Sequence, residues 1–134
     1  MILPFPNLRP FPASARKSVP PHEARLWKME ESLWSDGLFQ ARASTAADAM
    51  FILPHQTRPL RGVDIWTAWL QASDWRSVAL LDRSFARDTD RIILAYRVSA
   101  NKTGSTIYEA LCMSSFYLRD GGWLRLSHQQ TPLA

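Results

Sequence analysis

What the chain has little of narrows it first. A single cysteine, Cys112, among 134 residues excludes an internal disulfide and fits a reducing compartment, so a cytoplasmic location is expected. Five glycines form no glycine-rich phosphate loop. The three histidines, His22, His55 and His128, are too scattered to suggest a metal site by spacing, and with no nucleophile motif either, neither metal nor cofactor is expected. Beyond Ala110 the only acid is Asp120. No apolar run approaches the roughly 20 residues that span a bilayer, which argues against a membrane partner. The net charge is +4, but Arg9, Arg16 and Lys17 meet no acid before Glu23, leaving 13 basic against 12 acidic residues afterwards. With no basic face to follow a phosphate backbone, nucleic acid is not an expected partner.

Prolines and tryptophans are plentiful. Pro4, Pro6, Pro10, Pro12, Pro20 and Pro21 crowd the amino terminus, so residues 1–21 read as a proline-rich, poorly structured or polyproline-like arm. The arm lacks the positive start and unbroken apolar run of a secretory signal, and residues 1–18 are expected to be dispensable for folding. A hydrophobic content of 46% and six tryptophans indicate one domain, residues 22–132, with a dense or ligand-enclosing interior.

Periodicity orders the elements. Leu26, Trp27, Met29, Leu33 and Trp34 recur at helical spacing between Pro20-Pro21 and Gly37, predicting a helix over 22–36. Residues 38–44 fit either a short strand or a small helix, 49–53 a strand, and 54–62 a loop. A second helix is predicted over 63–72 with Ile65, Trp66, Trp69 and Leu70 on one face. Strands follow at 76–85 and 91–100, then two long strands in 105–132 that reverse at Asp120-Gly121, a strong hairpin signal. On the first of these, alternation turns Tyr108, Ala110, Cys112, Ser114, Phe116 and Leu118 inward. On the second, Leu124 and Leu126 mark the inward face, which His128 and Gln130 continue, while Trp123, Arg125, Ser127 and Gln129 face out. The outward set Leu111, Met113, Ser115 and Tyr117, beside Ile93 and Ala95, is too apolar for a solvated face and predicts a homodimer.

The short helix after "RPLRG" and above all "YRVSA…YEALCMSSFYLRDGGWLRLSHQQTP" resemble the nuclear transport factor two-like superfamily, close to its SnoaL-like and domain-of-unknown-function branches, over roughly residues 22–132. That resemblance implies an α+β, cystatin-like fold: a cone-like curved antiparallel sheet, or half-barrel, wrapped around helices. It also implies a deep apolar cavity and usually a homodimer. The superfamily includes isomerases, dehydratases, polyketide cyclases and non-catalytic binding or assembly domains, so fold alone does not assign chemistry. The leading expectation is a domain that binds a small apolar or oxygenated organic ligand, contacted by Trp66, Trp69, Tyr96, Cys112, Ser114, His128 and Gln130. The alternatives are a cavity enzyme with His128 as catalytic acid or base, and a dimeric assembly domain. Asp82 is the one carboxylate expected to be able to enter the cavity.

Overall fold

The computed structural model describes residues 21–72 and 74–133, so residues 1–20 of the proline-rich arm and the readings that fall on them lie outside the described residues. Helix α1 (Pro21–Ser35) starts at a proline, where no intrahelical amide is needed. A short helix, α2 (Leu38–Ala43), follows, settling the ambiguous stretch as helical. Then come β1 (Thr45–Ile52), the two-residue β2 (Leu60–Arg61) and α3 (Val63–Ala72). Four long strands close the chain: β3 (Ser77–Arg87), β4 (Arg91–Asn101), β5 (Tyr108–Arg119) and β6 (Gly122–Pro132).

The strands form one six-stranded sheet in the order β2-β1-β6-β5-β4-β3. From β3 to β6 it is the expected antiparallel meander, and β1 joins β6 in parallel. The β5–β6 reversal has Arg119 opposite Gly122, with Asp120 at φ 50° and Gly121 at φ 80°. Two successive positive φ values suit the right-handed twist of the strands, and the Asp-Gly pair reaches them at little steric cost. One face of this curved sheet packs on α1 and α3. Ile92, Leu94, Tyr96 and Val98 from β4 and Ala110, Cys112 and Phe116 from β5 meet Leu26, Trp27, Leu33 and Trp34 of α1 and Ile65, Trp66 and Trp69 of α3 in one core. Leu70 and Leu118, expected inward, are exposed.

Bulges decide which side chains reach that core. On β6, Ser127 pairs with Ser115 but Arg125 pairs with Phe116, so Leu126 is an extra residue. Such an insertion shifts strict alternation by one. Trp123 and Arg125 are therefore buried on one side of the bulge and His128 on the other, while Leu124 and Leu126 are only half-buried. This corrects the strand's expected facing: the leucines do not set the inward face, and Arg125 points in. His128 faces inward because the bulge restores it to the side of Trp123 and Arg125. A second bulge on β3 places Asp82 and Arg83 opposite Tyr96 alone, with Asp82 at φ 52°.

Candidate functional site

The polar centre begins with Glu30. It lies on the α1 stripe formed by Leu26, Trp27, Leu33 and Trp34, one turn from each end of that apolar run, so it is carried to the sheet rather than to solvent. Its carboxylate is wholly buried and fully matched. Oε1 accepts from Arg125 Nε at 3.0 Å, while Oε2 accepts from the Tyr96 and Ser114 hydroxyls, each at 2.5 Å. Arg125, equally buried, donates its remaining N–H groups to Ser44 Oγ at 3.0 Å, Thr45 Oγ1 at 2.9 Å and the Met29 carbonyl at 3.1 Å. Trp34 Nε1 donates to the Tyr96 oxygen at 3.0 Å. Burial by itself would raise the Glu30 pKa, but the Arg125 charge and the bonds from His128 and Ser114 outweigh it and hold the carboxyl at about 2.

His128 carries this network toward the surface. Its Nδ1 is 2.7 Å from Ser114 Oγ and its Nε2 is 3.2 Å from the Gln130 amide nitrogen. Ser114 gives its one hydroxyl proton to Glu30, so it accepts from His128 Nδ1–H, and Nε2 of the neutral ring is left to accept from the Gln130 amide. The chain then runs in one direction: Gln130 donates to His128, His128 Nδ1–H to Ser114, and Ser114 to Glu30. The proximity of Nδ1 to Glu30 Oε2, 3.4 Å, favours a charged ring, but burial, reinforced by the nearby Arg125 charge, lowers the His128 pKa below its ordinary 6.5. The centre thus holds one anion, one cation and a neutral imidazole. Phe51, Trp69 and Trp34 surround the ring, with centroids 5.2, 5.6 and 6.1 Å away.

Above this centre lies a cavity of about 310 Å³. Its apolar walls are Trp34, Leu53, Ala68, Trp69, Ala72 and Trp75. Tyr108 and Gln130 form a polar end, and His55, Gln56 and Gln71 also line it. Tyr108 donates its hydroxyl to Gln130 Oε1 at 2.8 Å, and its ring stacks on Trp75 with centroids 5.5 Å apart and 17° between planes.

Of the residues expected to contact a ligand, Trp69 and Gln130 line the cavity. Trp66, Tyr96, Cys112, Ser114 and His128 lie in the core instead, Ser114 and His128 as links of the polar relay. Burial pushes the Cys112 thiol up to about 12, which leaves it protonated and unreactive. Asp82 does not enter the cavity: its exposed carboxylate accepts from Arg97 Nε at 3.1 Å on the outer side of the sheet. The buried acid is Glu30, and its partner is Arg125, neither of which the strand and helix patterns singled out. Glu30 occupies a central position of the α1 stripe, which is the signal that points to it. Arg125 sits two residues after the buried Trp123, a period-two signal that competes with the two leucines. Among the described residues, no three His, Cys, Asp or Glu side chains are grouped to hold a metal ion, and no helix is long and apolar enough to cross a membrane.

Neither a known family's sequence profile nor any curated protein matches the chain. Solved structures do. A candidate ketosteroid isomerase from Parabacteroides distasonis superimposes with TM-score 0.72 at 10% identity, covering 91% of this chain and 93% of its own. A nuclear transport factor two-like protein from Cytophaga hutchinsonii gives 0.70 at 13% identity, covering 86% and 100%. A candidate calcium/calmodulin-dependent kinase II association domain from Exiguobacterium sibiricum gives 0.66 at 18% identity, covering 96% and 98%. The chain therefore has the nuclear transport factor two-like, cystatin-like fold that its hairpin resembles.

Proposed function

We propose that the chain is a small-molecule-binding domain whose ligand lies between Trp34, Trp69 and Trp75 and hydrogen-bonds to Gln130 and Tyr108. The observation that carries this reading is the cavity of about 310 Å³, within the size range of small-molecule sites, whose polar end is held in place by buried partners. Binding without chemistry is preferred to the isomerase-like, dehydratase-like or cyclase-like reading. Among the described residues no carboxylate lines the cavity, and both ring nitrogens of His128 are already engaged behind its wall. Native mass spectrometry of the purified chain, followed by calorimetric titration of any retained compound, tests the reading. A retained ligand whose affinity falls about tenfold in Gln130→Ala, the upper range for one neutral hydrogen bond, supports it. Affinity unchanged in both Gln130→Ala and Trp69→Ala sinks it.

Self-association is a second reading with its own support. Ile93, Leu111 and Met113 are 38%, 53% and 45% exposed on the outer sheet face, next to a groove of about 690 Å³ that Ile93, Tyr117 and Leu126 help to line. The Exiguobacterium sibiricum neighbour is described as an association domain. A twofold dimer burying this face is compatible with ligand binding on the opposite side of the sheet. Both roles fit a cytoplasmic protein with a free cysteine.

A further inference from the structure

We infer that the cavity selects uncharged, flat molecules of one or two rings that carry a carbonyl beside an N–H, a lactam or aryl carboxamide, over their carboxylate counterparts. The inference rests on the ligand-binding reading and adds the class of ligand. Three observations carry it.

The first is shape. The cavity, about 310 Å³, is at the small end of the roughly 300–1,000 Å³ typical of such sites. Trp34, Trp69 and Trp75 bound it, and such aromatic walls favour a flat aromatic ring laid against them; Trp75 and Tyr108 are stacked on each other and admit no ring between them.

The second is the hydrogen-bonding capacity left over at the polar end. Gln130 has two amide donors and an oxygen with two acceptor sites. One N–H is given to His128 Nε2, and one oxygen site takes the Tyr108 proton. That leaves one N–H donor and one carbonyl acceptor site on the same amide. A carbonyl next to an N–H is the complementary arrangement, whereas a ketone uses half of it and a carboxylate presents no donor.

The third is charge. Among the described residues, no lysine or arginine lines the cavity. The nearest buried cation, Arg125, is spent on Glu30, and His128 is held neutral as an acceptor toward Gln130. A carboxylate at Gln130 would lose water without gaining a cation and would face the oxygens of Gln130 and Tyr108. His55, at the cavity's edge, is exposed and makes no part of the Gln130–Tyr108 pair.

Calorimetric titration of the full chain with 2-quinolone, naphthalene and 2-naphthoate tests the inference, because the three share size and flatness and differ in polar edge. Expected is quinolone binding about tenfold or more tighter than either of the others. Gln130→Met should bring quinolone down to the naphthalene level and leave naphthalene within about twofold. If that variant does not fold, Tyr108→Phe, which frees the amide oxygen from its tether, should lower quinolone affinity several-fold and naphthalene little. Equal affinity for quinolone and naphthalene in the unaltered chain, or tighter binding of naphthoate, overturns the inference while the cavity-binding reading stands. Binding of none of the three overturns both.

Discussion

Glu30 and Arg125 form an ion pair with both side chains wholly buried. Removing one partner of a buried pair leaves the other as an uncompensated charge, so Arg125→Met should cost about 3–5 kcal/mol of unfolding free energy in urea titration. The double variant Glu30→Gln/Arg125→Met should recover at least half of that loss, since neither residue is then a buried charge. A single-variant cost below about 1 kcal/mol would mean that the pair does not hold the core. The same residues set the pH range. The His128 pKa is lowered from 6.5, so the unfolded chain takes up a proton that the folded chain refuses, and stability present above pH 6.5 is lost as pH falls below it. Glu30, at about 2 against 4.5, gives a second loss between those values. Cys112, raised from 9.0 to about 12, acts in the opposite sense: its contribution is full below 9.0 and is lost as pH rises toward 12. The urea midpoint should therefore plateau between pH 6.5 and 9.0, and His128→Gln should remove the decline between 6.5 and 4.5. These residues were only partly legible beforehand. Alternation counted from Leu124 and Leu126 turns His128 inward only because the bulge at Leu126 cancels the reversed facing of Trp123 and Arg125, and an acid within an apolar helical stripe reads as a break in it.

At the scale of elements, most of the chain could be read from periodicity because most of it is regular. The helix over 22–36, the helix over 63–72 and the meander through the Asp120-Gly121 turn each have one dominant period and a clear stop, and the structure places them within about two residues. The bulge at Leu126 was not legible, because no glycine or proline marks it and its effect appears only in pairing with β5 and β1. Arg125 and His128 are three residues apart, an odd number, so a regular strand cannot turn both inward. Deleting Leu126 leaves them two residues apart, on one face of a regular strand, so both should stay inward and the deletion should cost about 1 kcal/mol, as an ordinary substitution does. Leu126→Ala keeps the residue count and should cost only about 1 kcal/mol. Denaturant titration of the two variants decides the matter: a deletion that costs more than about 3 kcal/mol, the lower range for breaking a buried ion pair, would show that the inward facing of Arg125 and His128 needs the inserted residue.

For the whole molecule, one curved sheet separates two surfaces with different prospects: an inner cavity with an oriented amide, and an outer apolar face. If the outer face joins two copies, the unaltered chain should sediment as a dimer at micromolar concentration. Met113→Glu, which places a charge among Ile93 and Leu111, should shift it to monomer while leaving ligand affinity within about twofold. A monomeric unaltered chain would remove the second reading and leave the first. The account of the inner surface depends on one proton. Gln130 is presented to the cavity in a fixed sense because His128 accepts from it, and His128 accepts because its own proton is committed through Ser114 to Glu30. Nitrogen-15 NMR of histidine-labelled protein reads that proton directly. The account predicts a neutral His128 ring protonated at Nδ1, with no titration near 6.5. A ring protonated at Nε2, or one that gains a second proton near 6.5, would contradict it.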